Sequence, residues 1–338
     1  MRERSRHPVA VGLDLARRGA GLLPEPLLER ARLAEARLLE TRLRRSPAVR
    51  GAALVLHAVA PSGGDARFQI DPPLAAERLD AIVAHLADRY RLVRAGELAD
   101  AARARRPRER VPVAVTFDDD LPSHHELAAP IFARHGGVAT AFLCCGSTPF
   151  WWHVLQVAVD THAIDAGALA PVPSTLVAPA LQRRPGAIGR LADAIENLAP
   201  AQRDVLASRL EQAVAAPPPL LSRQAAVELA AAGWEIGFHT RRHDALTALD
   251  DAALREALQP AAELAGDARA RTLAYPHGAA DERVARAARE TGYVAAYTTS
   301  ASVFTQDTDV HLIGRLYPET AGLGRFALGL ARRLGRGA

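Results

Sequence analysis

Short apolar runs that alternate with helical patterns are the feature that most restricts the fold of this chain. An apolar run bounded by turn residues predicts a buried strand, and apolar residues three and four positions apart predict a helix. Strands separated by helices are typical of β/α units around a parallel sheet, so we predict an α/β fold. The expected strands are Ala52–Leu56, Val111–Phe117, Val138–Leu143, Trp234–Phe238, Thr272–Tyr275, Tyr293–Thr298 and His311–Leu316.

The same patterns divide the chain into regions. Residues 1–50 are predicted to form an N-terminal helical extension, because leucines are spread among arginines and glutamates there. The strand rhythm stops between residues 147 and 222, where Pro- and Ala-rich helical sequence ends in Pro217–Pro219, and we expect a helical insertion. We therefore assign residues 51–320 to one unit that carries this insertion, and residues 321–338 to a basic C-terminal tail.

The charge distribution argues against nucleic acid as a partner. All 42 basic residues are arginine, but they are interspersed with 38 acidic residues and the net charge is only +4, whereas nucleic-acid binding concentrates basic residues on one surface. No apolar run reaches the roughly 20 residues of a transmembrane helix, and Asp14 interrupts the apolar run that a secretory signal needs. We expect a cytoplasmic protein. The amphipathic basic stretch Phe326–Arg336 leaves a peripheral membrane contact open beside an ordinary docked helix.

Three carboxylates follow the predicted strand Val111–Phe117 directly: Asp118, Asp119 and Asp120. In barrels of parallel strands, active sites lie at the C-terminal ends of the strands. Adjacent carboxylates repel one another unless a cation or a shifted pKa relieves the repulsion. The segment is therefore either part of an active site or a solvated turn in which an aspartate caps the next helix.

A second polar cluster follows the predicted strand Trp234–Phe238 and contains His239 and His243. Two imidazoles four positions apart share a face where the chain turns helical, so both can reach one metal ion. Two histidines and one carboxylate form a metal site that keeps open positions for water and substrate. A non-haem iron oxygenase uses such a set as well, but the close His-x-Asp pair that it normally contains is absent from the sequence.

These motifs resemble those of the polysaccharide deacetylases, the NodB-homology group also called carbohydrate esterase family 4. The chain has TFDD at Thr116–Asp119 and HTxxH at His239–His243, in the order of that family. The Ala274-Tyr275-Pro276-His277-Gly278 segment is similar to its AYPYG-type bacterial subgroup. Further similar segments are Leu54–Val59, Arg89–Val93, Pro149–Trp152, Leu229–Thr240 and Thr291–Thr299.

The resemblance implies a fold, a cofactor and residue roles. It implies a deformed parallel (β/α) barrel related to the TIM barrel, with a divalent ion, commonly zinc, at the strand ends. Asp118 would be the general base, and Asp119, His239 and His243 would hold the metal. A cation there would polarise an amide carbonyl and acidify a water molecule, and Asp118 would take the proton of that water.

The implied activity is the hydrolysis of a carbon–nitrogen bond other than a peptide bond. We expect removal of an acyl group, N-acetyl before O-acetyl or formyl, from an amino sugar in a glycan or glycoconjugate. The alternative is a catalytically silent, glycan-binding relative that keeps the fold and the metal. Two departures recommend that alternative: Asp120 stands where the family usually has glycine, and the late acid histidine of the family has no clean match.

Other departures affect the remaining candidates. The arginine that orients the base in the family is replaced by Ala274, while Arg315 in the IGRL segment resembles the ending of the AYPYG-type subgroup. His277 is the first candidate for the general acid, and His311 is a weaker one because it begins its predicted strand. The candidate substrate-binding residues are His57, Tyr275, Trp152 and Asp120.

Overall fold

A computed structural model describes residues 24–146, 149–260, 271–318 and 321–336 of the chain. Residues 1–23, which are nearly half of the predicted N-terminal extension, lie outside these ranges. The described helices are Glu25–Arg45 (α1), Ala76–Arg89 (α2), Leu98–Ala104 (α3), Ala129–Arg134 (α4), Trp151–Asp160 (α5), Ser174–Leu181 (α6), Ala187–Glu196 (α7), Pro200–Ala213 (α8), Arg223–Ala231 (α9), Asp251–Ala257 (α10), Glu282–Thr291 (α11) and Leu323–Arg336 (α12).

The described strands are Arg50–Leu56 (β1), Val59–Ala60 (β2), Leu74–Ala75 (β3), Arg91–Val93 (β4), Pro112–Asp118 (β5), Thr140–Leu143 (β6), Glu235–Phe238 (β7), Thr272–Ala274 (β8), Ala295–Tyr297 (β9) and Phe304–Thr305 (β10). Eight of them form a curled, mostly parallel sheet of order β10-β1-β5-β6-β7-β8-β9, with β4 also paired to β5, whereas β2 and β3 pair with each other in a separate two-stranded sheet. Within the larger sheet only β10 runs antiparallel to its neighbour. Both β1 and β5 are buried over their full length, as expected where helices surround a parallel sheet.

This architecture confirms the predicted α/β barrel fold, and six of the seven expected strands are present. The seventh, His311–Leu316, is wrong as a regular strand. The backbone of Ile313 forms hydrogen bonds of 3.0 Å with Ala296 in β9 and 2.8 Å with Thr298 just after it. The backbone of Leu316 instead forms hydrogen bonds of 2.8 and 3.1 Å with β1. The segment changes partner within three residues and cannot form a ladder with either strand, but it joins the two sides of the curled sheet.

Helices α5 to α8 lie in the predicted insertion and have a hydrophobic core of their own. No strand occurs in the described part of this insertion. Its core residues include Leu155, Leu191, Ile195, Leu206 and Leu210, all of which are buried. The insertion therefore packs as a small helical layer, and one side of it reaches the strand ends.

Helix α12 is amphipathic, as predicted, but its apolar face is not available to a membrane. Phe326, Leu330 and Leu334 are buried in the main core, and the helix packs chiefly on α1. A peripheral membrane contact through this face is therefore not supported. Within the described ranges, no helix combines the length and the apolar character that crossing a bilayer requires.

Candidate metal centre and active site

A cavity of about 260 Å³ opens at the C-terminal edge of the sheet. The barrel contributes residues that follow β1, β5, β7 and β8, and the insertion contributes a wall from α5 and α7. Parallel strands end at the same edge of a sheet, so motifs far apart in sequence meet here. The lining includes His57, Asp71, Asp118, Asp119, Trp151, Trp152, Asp193, Glu196, His239, His243, His277 and Tyr317.

Asp119, His239 and His243 converge in this cavity, with their potential ligand atoms within 4.8 Å of one another. Asp119 Oδ1 lies 3.8 Å from His239 Nε2 and 3.9 Å from His243 Nε2. His239 Nδ1 lies 2.8 Å from the carbonyl oxygen of Ala274, which can only accept, so Nδ1 carries the proton. The lone pair of His239 Nε2 is therefore free for a metal, an arrangement typical of ligating histidines.

The electrostatics of these three side chains also fit a cation. Burial raises the pKa of Asp119 to about 8, and the charges of Asp118 and Asp71 add to the effect of burial. Its Oδ1 is buried without a hydrogen-bond partner in the described part of the chain. Burial lowers the pKa of His239 to about 4 and that of His243 well below its usual value. Neutral imidazoles and a carboxylate that needs a counter-charge form a suitable donor set for a divalent metal.

Several site residues have a left-handed backbone conformation, which is strained for residues other than glycine. The φ angles are +72° at Asp119, +61° at Thr240 and +52° at His243. Such conformations cost on the order of 1–3 kcal/mol each and persist only where the surroundings enforce them. The backbone of the ligand loops is thus held in place by contacts elsewhere in the fold.

Asp118 lies beside the candidate metal set, with its Oδ2 3.8 Å from His239 Nε2, and forms a buried ion pair with Arg315. The guanidinium donates to both carboxylate oxygens, at 2.6 and 2.7 Å, and also to Thr116 Oγ1 and the carbonyl oxygen of Thr298, each at 3.1 Å. Burial alone would raise the pKa of Asp118, but the charge and hydrogen bonds of Arg315, together with His239 and His57, outweigh burial and lower the pKa to about 2. Sequence reasoning did not find this pair, and its only signal was the resemblance of the IGRL segment.

Two histidines line the cavity outside the candidate metal set. Burial opposes protonation of His57, but the charges of Asp71, Asp119 and Asp118 prevail and raise its pKa. The ring of His57 stacks at 6.3 Å on the exposed ring of Tyr317. His277 packs edge-on against the His243 ring at 4.6 Å, and its Nε2 lies 3.4 Å from Glu196.

The other sequence candidates divide into one that faces the cavity and three that do not. Trp152 lines it, with its ring 4.8 Å from that of His243. Tyr275 is buried and its hydroxyl donates to the carbonyl oxygen of His311. His311 itself is buried in the core, where Nε2 donates to the carbonyl oxygen of Tyr293. Neither residue lines the cavity, so substrate contact by Tyr275 is not supported.

Asp120 is likewise turned away from the cavity. Its carboxylate accepts hydrogen bonds from the backbone N–H groups of Cys144 at 2.9 Å and Gly146 at 3.2 Å. It therefore fixes the loop after β6, and the expectation of substrate contact is not supported. Because Asp120 faces this loop and not the metal set, its charge does not block the site.

Residues 200–296 match the family model of the polysaccharide deacetylases. This range is under a third of the chain, and it contains His239 and His243 but not Asp118 and Asp119. Among curated proteins, no sequence is significantly similar to the chain.

Three solved structures, two of them described as deacetylases, resemble this fold over 82–85% of the chain. Streptococcus pyogenes deacetylase PplD, in complex with acetate, superimposes with a TM-score of 0.56 at 14% identity, over 85% of this chain and 99% of that chain. IcaB from Ammonifex degensii gives a TM-score of 0.52 at 17% identity, over 85% and 98%. A polysaccharide deacetylase from Bacillus cereus gives 0.52 at 15% identity, over 82% and 68%. The chain thus has the fold of the NodB-like (β/α) barrel deacetylases, and its segment 200–296 matches the polysaccharide deacetylase family.

Proposed function

We propose that the protein is a metal-dependent hydrolase that removes an acyl group, most directly N-acetyl, from an amino sugar in a glycan or glycoconjugate. One observation carries the proposal: a buried Asp-His-His set and an arginine-held aspartate share one cavity at the strand ends. The match of residues 200–296 to the deacetylase family supports the same chemistry.

Asp119, His239 and His243 would hold the metal, and zinc suits two imidazoles and one carboxylate with positions left open. When bound, such a cation polarises the acyl carbonyl and acidifies water. The protonation states of the two histidines already suit metal binding before the substrate reacts. Burial keeps both imidazoles neutral at pH 7, and Asp119, which holds a proton at that pH because its pKa is about 8, would give up the proton when a cation binds.

Asp118 would accept a proton from the attacking water molecule. With a pKa of about 2, it is ionised at all physiological pH values, and Arg315 fixes both of its oxygens. Such an aspartate is a weak but well-oriented base, and it releases the accepted proton readily. Arg315 would therefore orient the Asp118 carboxylate and balance its charge. It would take over the role of the base-orienting arginine that resembling proteins have where this chain has Ala274.

His57 would protonate the amine as the carbon–nitrogen bond breaks. A general acid must carry its proton near neutral pH, and, against the opposing effect of burial, the nearby charge of Asp71, which lies outside the metal set, raises the pKa of His57. We prefer it to His277, the first candidate from the sequence, which contacts His243 and the insertion. The complete reaction consumes one water molecule and yields a carboxylate and a protonated amine.

The test is acyl release from a panel of N-acetylated, O-acetylated and N-formylated sugar oligomers by the zinc-loaded protein. Asp118→Asn should retain zinc and release no acetate, whereas His239→Ala should lose the zinc. Full zinc occupancy in His239→Ala contradicts the metal assignment. A wild-type protein that binds zinc and the oligomers but cleaves none of them supports the silent, glycan-binding alternative.

A further inference from the structure

Arg203, in helix α8 of the insertion, connects the insertion to the loop that carries His243. Its Nη1 donates to Glu196 Oε1 at 2.7 Å, and its Nη2 donates to Asp244 Oδ1 at 2.9 Å. Asp244 directly follows His243 in the chain. The side chains of Arg203 and Asp244 are only 13% and 16% exposed, so solvent weakens this pair less than it weakens a surface ion pair.

The loop has a particular need for such a contact. His239 is oriented by the hydrogen bond from its Nδ1 to Ala274, but His243 Nδ1 is buried and has no hydrogen-bond partner among the described residues. The His243 backbone is also left-handed, with φ +52°. The position of its ring therefore depends on ring packing and on the backbone that Asp244 anchors.

The hydrogen bond of Arg203 to Glu196 also connects to His243, through His277. Glu196, which it holds, lies 3.4 Å from His277 Nε2, and the His277 ring packs on His243. A guanidinium can hold two carboxylates at once because its donors are fixed in one plane. The exposed contacts of Arg242 with Asp244 and Asp204 add little by comparison.

We propose that Arg203 is a positioning residue for the metal centre, which sets the metal affinity by bridging Glu196 and Asp244. The insertion is then part of the centre and not only a wall of the cavity. This inference rests on the proposed metal site, because His243 matters here as a ligand.

The experiment is zinc affinity, measured by competition with a chromophoric chelator in the absence of substrate. Loss of an outer contact to a metal ligand typically weakens affinity by 10–100-fold, so we expect about a 10-fold loss in Arg203→Gln and a similar loss in Asp244→Asn. The double variant should be little weaker than Arg203→Gln alone, because Arg203→Gln already removes the contact with Asp244 together with the contact with Glu196. The zinc affinity of Arg203→Lys should lie between those of the wild type and Arg203→Gln, since lysine keeps the positive charge but not the planar set of N–H donors.

Arg209→Gln is the matched control, because Arg209 lies on the same helix and, among the described residues, donates only to the carbonyl oxygen of Ala170. Its zinc affinity should equal that of the wild type. Wild-type affinity in Arg203→Gln, or fully additive losses in the double variant, overturns the inference. Asp244→Asn is nearly isosteric, so wild-type affinity in that variant overturns it even where Arg203→Gln fails to fold. A wild-type protein that binds no zinc instead refutes the proposed metal site.

Discussion

Replacement of Arg315 by methionine tests the buried ion pair that orients Asp118. The variant keeps a long apolar stem but leaves the Asp118 carboxylate buried without its counter-charge. The lowering of the Asp118 pKa from 3.8 to about 2 corresponds to about 2 kcal/mol, since one pH unit equals about 1.36 kcal/mol. Removal of one partner from a buried ion pair commonly destabilises a protein by about 3–5 kcal/mol. We expect the free energy of unfolding of Arg315→Met to be about 2–4 kcal/mol lower than that of the wild type at pH 7.

The pH dependence gives a second readout. The folded-state pKa of Asp118 lies below its ordinary value, so the ion pair stabilises the wild type above about pH 4, and this contribution is lost as the pH falls towards 2. Urea unfolding should therefore show that the stability difference between wild type and Arg315→Met shrinks over this interval. In the variant the pKa of Asp118 rises, so the acid limb of kcat/KM should move to higher pH.

Arg289→Gln is the control, because its ion pair with Asp309 is exposed, at 55% and 41%. Removal of this exposed ion pair should lower the free energy of unfolding by less than about 1 kcal/mol. Equal stabilities of Arg315→Met and wild type at pH 7, together with an unmoved acid limb, would refute the role assigned to the pair.

Four further predictions concern the cavity. Zinc affinity should fall as the pH drops from 8 to 6, because protons compete for Asp119, whose pKa is about 8; titration at the two pH values checks this, and equal affinities contradict it. His57→Gln should lower kcat by about 100-fold or more. Asp71→Asn should move the alkaline limb of kcat/KM to lower pH, because its charge raises the pKa of His57; an unmoved limb argues against His57 as the acid. Trp152→Ala should raise KM more than it lowers kcat, since the ring lines the cavity, and a change in kcat alone is inconsistent with substrate contact.

The parallel architecture could be predicted because its signals are local. Strands β5 and β7 are mainly apolar, although they contain Thr116 and Glu235, and both end directly in polar residues. Parallel strands present their C-terminal ends at one edge, so Asp119 and the two histidines could be expected to meet. The structure brings their ligand atoms within 4.8 Å.

Long-range features of the site could not be predicted in this way. Arg315 lies 197 positions after Asp118, in a segment that is not a regular strand and therefore lacks a periodic pattern. The direction of the Asp120 side chain depends on backbone N–H groups of the loop after β6. The pairing of Arg203 with Asp244 depends on how the insertion packs, and no local spacing encodes that contact.

Acetate release from N-acetylated amino-sugar oligomers, measured beside bound zinc in the same samples, tests the proposed activity most directly. We expect the wild type to bind about one zinc ion and to release acetate with a matching gain of free amine. Asp118→Asn should bind zinc equally and release none. A zinc-loaded wild type that releases no acetate from any oligomer, or an Asp118→Asn variant as fast as the wild type, would contradict the proposal.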